Sequence, residues 1–499
     1  MLNALILVPG LAGLLAFVIR ADAPRRALLI AVGLANAGVA IACWAAPPGP
    51  ELSGWLALDA VGRLICAITA AVFAMVAVYG AGYLAREGKG KRRDFEEDAL
   101  FANAPEATFT GCLLLFLAAM NLMACSHHLG MLWIAMEATT LASAPLIYFH
   151  RHHRSLEASW KYLIICSVGI AIALLATFFL AIAASRPDGD TLPLIVGVLA
   201  DHAGELNVPW LRAAFLLFLV GYGTKVGLAP LHTWLPDAHS EAPSVVSALL
   251  SGAVLNCAFL GILRVYQVCA AAGQGPFCQD LLRLFGLLSI GLAAVFILNQ
   301  RDFKRMLAYS SIEHMGILAL GVGLGGVAVF GALLHAAGHS LAKAMLFLAS
   351  GNIVEVYRTK VTERVRGVLR AQPATGALWL AGFLAIAGFP PFSTFLSELL
   401  ILQGAFETGR YAEGVAFLAG LAVVFAGMAT AVLGMVQGLP AHPDSSTRTA
   451  LLLEPIPAGR WFAVAPAAAL GLGVLVLGLY LPAPVRAVLH EAAFALGGR

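Results

Sequence analysis

Residues 331–353 read GALLHAAGHSLAKAMLFLASGNI. At about 1.5 Å of rise per residue, the run is long enough to cross the hydrocarbon core of a bilayer as a helix. Within it His335, His339 and Lys343 recur at every fourth position, which places all three on one stripe of one helix. An ionisable side chain at the centre of a lipid-facing span costs at least about 2.5 kcal/mol. A helix carrying three of them on one face must therefore turn that face to protein, so this span calls for a bundle of others around it.

The rest of the chain supplies that bundle. Of 499 residues, 60% are hydrophobic and 12% are charged, with a mean hydropathy of +0.86. Soluble domains run at roughly 45–50% apolar and about 25% charged, so a soluble globular protein is excluded. The net charge of +3, from 31 Lys+Arg against 28 Asp+Glu, creates no field that would attract nucleic acid. Eight cysteines lie singly in apolar stretches, without the clustered spacing of zinc, haem or iron–sulfur ligands, and read as small core hydrophobes.

Apolar runs between charge or Pro/Gly clusters predict an all-α integral membrane protein of about fourteen transmembrane helices. They fall near residues 2–19, 27–45, 58–84, 108–126, 128–149, 158–184, 210–228, 242–269, 281–299, 306–326, 328–352, 376–405, 412–438 and 461–484. The first run carries no basic residue ahead of it and reads as an uncleaved span rather than a signal peptide. Basic residues concentrate in alternate loops: Arg20, Arg25 and Arg26; Arg86, Lys89, Lys91, Arg92 and Arg93; Arg151 and Arg154; Arg301, Lys304 and Arg305; Arg358, Lys360, Arg364, Arg366 and Arg370; Arg448 and Arg460. Basic loops stay in the cytoplasm, so both termini are expected on the non-cytoplasmic side of a bacterial inner membrane. The chain divides into residues 1–107 (three helices and a cytoplasmic connector), 108–270 (helices four to eight), 281–438 (helices nine to thirteen) and 439–499 (a loop and the last helix).

Further charges stand at depth. Glu137 lies mid-span in MLWIAMEATTLASAPLIYF (131–149), Lys225 in FLLFLVGYGTKVGLAPLHTWLP (215–236) and Glu398 in GFPPFSTFLSELLIL (388–402). Two readings stay open: buried salt bridges that fix helix packing, or a relay in which protons pass between groups as their neighbours change. Helix interruption favours the relay. Gly227, Pro230 and Pro236 break helix seven beside Lys225, and Gly388, Pro390 and Pro391 break helix twelve beside Glu398. Such backbone is tolerated at membrane depth only where it faces protein or a water-filled cavity.

A metal at His335 and His339 is disfavoured, because a lysine follows one turn on and no carboxylate lies nearby in sequence. His232, Asp237, His239 and Glu241 are expected near the cytoplasmic mouth, either admitting protons or simply solvated. His150, His152 and His153 read as a basic interface anchor, and Asp59 and Arg63, one turn apart, as a local ion pair.

The run GTKVGLAPLHTWLPDAHSEAPSVVSALLSG (223–252), with the segments 331–353 and 388–402 quoted above, resembles the antiporter-like membrane subunits of respiratory complex I, cation/proton antiporters and membrane-bound hydrogenases. The resemblance covers helices four to thirteen. RDFKRMLAYSSIEHMG (301–316) is most similar to the F component of hydrogenase-4 and related formate hydrogenlyase complexes. It implies two inverted five-helix repeats, with broken helices seven and twelve. It also implies roles: Glu137 and Lys225 as a pair gating proton uptake, His335, His339 and Lys343 as the central relay, and Glu398 as the exit-side group. Where complex I subunits place a lysine in helix eight, this chain has Asn256, which holds no proton, and Glu313 and His314 are the residues through which an alternative path would run.

The resemblance implies a proton-translocating subunit of a respiratory oxidoreductase complex, with other membrane subunits and hydrophilic hydrogenase or iron–sulfur subunits as partners. No cofactor or metal is expected in this chain; nickel–iron and iron–sulfur centres belong to the partners. Two alternatives remain: a cation/proton antiporter subunit without a redox module, and a non-conducting membrane anchor of a hydrogenase.

Overall fold

Runs of Leu, Ala, Val and Phe interrupted by few helix breakers form helices throughout. The structure is a computed structural model that describes residues 1–87, 90–96, 100–186, 191–439 and 461–498. In chain order come α1 (Leu2–Val18), α2 (Asp22–Ala45), α3 (Ala60–Arg86), the short strands β1 (Lys91–Arg93) and β2 (Leu100–Ala102), α4 (Glu106–Cys125), α5 (Leu129–Ile147) and α6 (His153–Ala183). A short α7 (Val196–Asp201) precedes α8 (Val208–Val226) and α9 (Trp234–Glu241). Then follow α10 (Ser244–Leu249), a π-helical turn (Leu250–Val254), α11 (Leu255–Ala271), α12 (Gly275–Ile297), α13 (Phe303–Leu324) and α14 (Val327–Tyr357). The chain closes with α15 (Val368–Ala371), α16 (Pro373–Ile386), α17 (Ser393–Glu407), α18 (Tyr411–Val436), α19 (Trp461–Leu479) and α20 (Ala483–Phe494).

Among the described residues, 11 helical segments are long and apolar enough to cross a membrane, and α1 and α16 are shorter apolar helices. The chain is an all-α, multi-pass integral membrane protein. Its layering follows from its polar residues. The segment Ser244–Ala271 and helices α13 and α14, which carry Asn256, Glu313, His314, His335, His339 and Lys343, are almost wholly enclosed, whereas α2, α18 and α19 keep most of their surface outward. Outward faces carry large apolar side chains such as Ile41, Phe178 and Val295, as lipid contact requires.

Both interruptions are visible, and neighbours satisfy the backbone they free. Helix α8 ends at Gly227, whose φ of 81° is left-handed, a conformation that favours glycine. The Trp234 indole N–H donates to the Thr224 carbonyl at 2.8 Å, and the Ala229 N–H donates to Ser289 Oγ at 2.9 Å. Pro236 plays no part in this break: it lies in the first turn of α9, where a missing N–H costs nothing. The second break, between α16 and α17, turns at Gly388 with φ 65°, and Thr394 Oγ1 donates to the Ala385 carbonyl. A Cβ at Gly388 would run into the Glu398 carboxylate, so the glycine makes room for that acid.

Other expectations change. The predicted span 376–405 is divided at its expected break into α16 and α17, while the β1–β2 hairpin within the connector and the closing helix α20 carry no apolar signal long enough to be read from sequence. Asp59 does not pair with Arg63. Its carboxylate accepts a bidentate pair of bonds from Arg264 at 2.5 and 2.8 Å, and Arg63 reaches Glu491 of α20 at 2.5 Å. Asp59 also caps α3 through the Gly62 N–H, which aims it along the helix axis and away from Arg63. Lys89, Arg448 and Arg460, invoked for orientation, lie outside the described residues.

Candidate functional site

The ionisable residues at depth gather in two clusters. The first is built on α5, α6 and α8. Lys225, wholly buried, donates to Thr140 Oγ1 at 2.9 Å and to the Tyr162 hydroxyl, with its ammonium 4.5 Å from the centre of that ring. Tyr162 in turn meets Ser143 Oγ at 2.6 Å. Glu137 stands apart: its Oε1 accepts from Ser167 at 3.1 Å, its Oε2 has no protein partner, and no ion pair joins it to Lys225 among the described residues. Glu137 and Lys225, expected to act as a pair, are thus held by separate partners. Glu137 is half-buried between Ile134 and Leu141, which are 56% and 60% exposed, while its unpartnered Oε2 is itself shielded.

The second cluster is built on α13, α14 and α17. Its hydrogen bonds have a direction that the chemistry dictates. Ser397 Oγ donates to the Thr394 carbonyl at 2.7 Å, so its lone pair must accept the 2.8 Å bond from His335 Nδ1–H. The neutral His335 ring then offers a lone pair at Nε2, which accepts from His314 Nδ1–H at 2.8 Å. His314 Nε2 is left as a buried acceptor without a hydrogen-bond partner, 4.0 Å from the equally unpartnered Oε2 of Glu313. His339 stacks obliquely on His314, with ring centres 5.0 Å apart, and neither of its nitrogens has a protein partner.

Lys343 donates to the Leu307 carbonyl at 2.8 Å and exerts an attraction on Glu313. Glu398, beside Ser397 in the chain, leaves Oε1 unpartnered. One ligand atom each from His314, His335 and Glu398 lie within 4.8 Å of one another. The expectation that no carboxylate stands near these imidazoles is thus corrected by tertiary structure: α17 supplies it.

Asn256 is also placed. Its amide donates to Ser340 Oγ at 2.5 Å, one residue beyond His339 on the relay helix, and its carbonyl oxygen has no protein partner. His239 is not a solvated loop residue: it is wholly buried, stacked on Phe347 with ring centres 5.0 Å apart, within electrostatic range of Lys343 and His339. His232 is buried too, near Tyr309. The ring of Trp234 lies 4.9 Å from that of Tyr162. Buried polar atoms are nearly always hydrogen-bonded in folded proteins. Such atoms without a partner occur on His239, Asn256, Glu313, His314, His339 and Glu398.

At the end of the bundle that bears the basic loops, a cavity of about 190 Å³ is lined by Glu87, Arg92, Glu241, Lys304 and Lys360, among others. Lys360 donates to Glu241 at 2.8 Å and Lys304 to the Ala242 carbonyl at 2.6 Å. Burial works to raise the pKa of Glu87, but bonds from His150 and the charge of Arg92 outweigh it and hold the carboxyl down at about 2. His150 bonds Tyr83 at 2.9 Å and His152 caps α6 through the Ser155 N–H at 3.1 Å.

A bundle of apolar helices, two of them broken beside buried ionisable groups, around a polar axis is an antiporter-like membrane subunit. The chain belongs to the family described as NADH:quinone oxidoreductase/Mrp antiporter, TM, whose profile matches residues 126–426. It is 44% identical over 289 residues to the hydrogenase-4 component F homologue of Methylacidiphilum infernorum (isolate V4), an alignment covering 58% of this chain and 61% of that protein; the chain thus spans about three fifths of that relative. It is 29% identical over 447 residues to NADH-quinone oxidoreductase subunit N of Desulforudis audaxviator (strain MP104C), covering 86% and 84%. Its fold matches a chain of the membrane-bound sulfane sulfur reductase, an archaeal respiratory membrane complex, with a TM-score of 0.83 at 21% identity over 100% of this chain and 98% of that one.

Tyr162, Thr140, Ser143 and Ser397 are the site residues that sequence reasoning misses. Serine and threonine recur throughout the spans, so nothing local distinguishes them; only the position of Ser397 next to Glu398 offers a hint.

Proposed function

We propose that the chain carries protons across a bacterial inner membrane as one subunit of a respiratory oxidoreductase complex. The redox module would be a membrane-bound nickel–iron hydrogenase of the hydrogenase-4 or formate hydrogenlyase type. In this reading the nickel–iron and iron–sulfur centres lie in hydrophilic partner subunits, the basic end of the bundle faces the cytoplasm, and both termini lie on the opposite side. Helices four to eight and nine to thirteen act as two inverted repeats, each with its broken helix. The similarity to the hydrogenase-4 component F homologue supports the choice of redox module.

The single observation that carries the reading is the directed chain from His314 through His335 to Ser397. A proton arriving at His314 Nε2 lets His314 release its Nδ1 proton to His335 Nε2, and His335 then presents its Nδ1 proton towards Ser397 and Glu398. Each ring takes a proton on one nitrogen and gives one up on the other; a passage leaves both as Nε2–H tautomers, which return to Nδ1–H before the next proton passes. Glu313, with Lys343 beside it, is the donor placed to feed His314, which compensates for the proton that Asn256 cannot hold. Lys225 is the gate on the uptake side, its ammonium held by hydroxyls and its charge felt by Glu137 at a distance.

The test is proton uptake by vesicles holding the assembled complex during turnover with its electron donor. Glu137→Gln is expected to assemble and lose pumping, and Glu398→Ala to assemble and block release. Full pumping by either variant would contradict the proposal.

A further inference from the structure

The relay cluster has a second chemical capacity. We propose that His314, His335 and Glu398 form a binding site for a divalent transition metal, with Zn2+ the ion of choice. The site's consequence, arrest of proton transfer, rests on the relay reading, whereas metal binding does not.

Four features carry the proposal. The three donors come from three different helices, are all buried, and bring one ligand atom each within 4.8 Å of the others. Zinc bonds of about 2.0–2.1 Å put neighbouring donors of a tetrahedral site roughly 3.3 Å apart. His314 Nδ1 and His335 Nε2, now 2.8 Å apart, need therefore separate by only about half an ångström.

Next, the outer bonds that metal-binding histidines carry are already present. The bond from His335 Nδ1–H to Ser397 Oγ holds that ring with its Nε2 lone pair towards His314. If His314 moves its proton from Nδ1 to Nε2, Nδ1 becomes a ligand, and the new Nε2–H points into the 4.0 Å gap to Glu313 Oε2. Both atoms of that gap lack hydrogen-bond partners, as does Glu398 Oε1; metal binding gives Glu398 Oε1 a partner, and closing the gap by about 1 Å gives one to each of the other two. The shift leaves the proton count of the two rings unchanged, and Glu398 gives up a proton only if it carries one.

Charge also balances when Lys343 is neutral. A divalent cation with the carboxylates of Glu398 and Glu313 then carries no net charge, which a low-dielectric interior favours over an isolated ion. Two imidazole nitrogens select zinc, cobalt or nickel over magnesium and calcium, which take oxygen ligands.

The experiment uses the full chain, purified within its complex in mild detergent, with Co2+ as optical probe and Zn2+ as competitor. Wild-type protein is expected to bind about one Co2+ with the intense visible bands of a low-symmetry four- or five-coordinate ion, displaced by Zn2+ and not by Mg2+. His314→Gln and Glu398→Gln should each weaken Zn2+ binding at least about tenfold, and His490→Gln, on α20, should leave it unchanged. Absence of the bands in wild-type protein overturns the proposal even if a variant fails to fold, and so does binding that survives both substitutions. Zn2+ bound at full occupancy with unimpeded proton uptake would leave the metal site standing and contradict the relay reading instead.

Discussion

The surroundings of Lys225 and of His335 solve different problems with similar materials. Lys225 is a buried cation whose reachable partners, Thr140 and Tyr162, are hydroxyls; they hold the ammonium without neutralising it, so its charge is stored. His335 sits between an imidazole donor and a serine acceptor whose own proton is committed elsewhere, so its Nε2 offers a lone pair while its Nδ1 carries a proton. An ion pair in contact at the first cluster would favour the charged forms of both partners and resist release. The separation of Glu137 from Lys225 keeps the cation responsive to changes in its surroundings.

The contrast is broken most severely by removing the conducting ring. His335→Ala is expected to lower proton transport about 100-fold, the lower range of what a positioned acid–base group contributes, with assembly intact by size-exclusion chromatography. At the storing site the decisive change keeps the charge: Lys225→Arg retains a cation that does not deprotonate in proteins. Transport measured in the same vesicles should fall at least about tenfold, approaching the loss in Lys225→Met; wild-type rates for the arginine variant would show that Lys225 never releases its proton.

Much of this arrangement is legible in the amino-acid sequence. The i, i+4, i+8 stripe of His335, His339 and Lys343, and the glycine and proline beside Lys225 and Glu398, are local signals that survive folding because helices preserve short spacings. What escapes is tertiary. Asp59 finds Arg264, 205 positions away, although Arg63 is one turn along its own helix. The carboxylate beside the histidines arrives on α17, and the hydroxyls that orient Lys225 and His335 are indistinguishable in sequence from those that merely bond their own helix, as Thr177 does with Ala173. Pro236 looks like a breaker only until its place in the first turn of α9 is known.

Finer changes sharpen the comparison. Tyr162→Phe removes a hydroxyl that holds the Lys225 ammonium. Bonds to charged groups are worth about 1.5–3 kcal/mol, so transport is expected to fall about tenfold. Rates that stay at the wild-type level would remove Tyr162 from the gate. Ser397→Ala frees the tautomer of His335 without touching a charge. A neutral hydrogen bond is worth about 1 kcal/mol, so stopped-flow rates of vesicle acidification should drop about fivefold; unchanged rates would show that the direction of the chain does not matter.

The most direct test is the protonation order of the two rings. In the complex labelled with 15N-histidine, the nitrogen shifts of neutral His335 and His314 report which atom bears the proton in each. The directed relay predicts both as Nδ1–H tautomers in the resting protein, with His335 shifting to Nε2–H in Ser397→Ala. His335 found as the Nε2–H tautomer at rest would contradict it, because the chain from His314 to Ser397 would then have no lone pair to receive the proton.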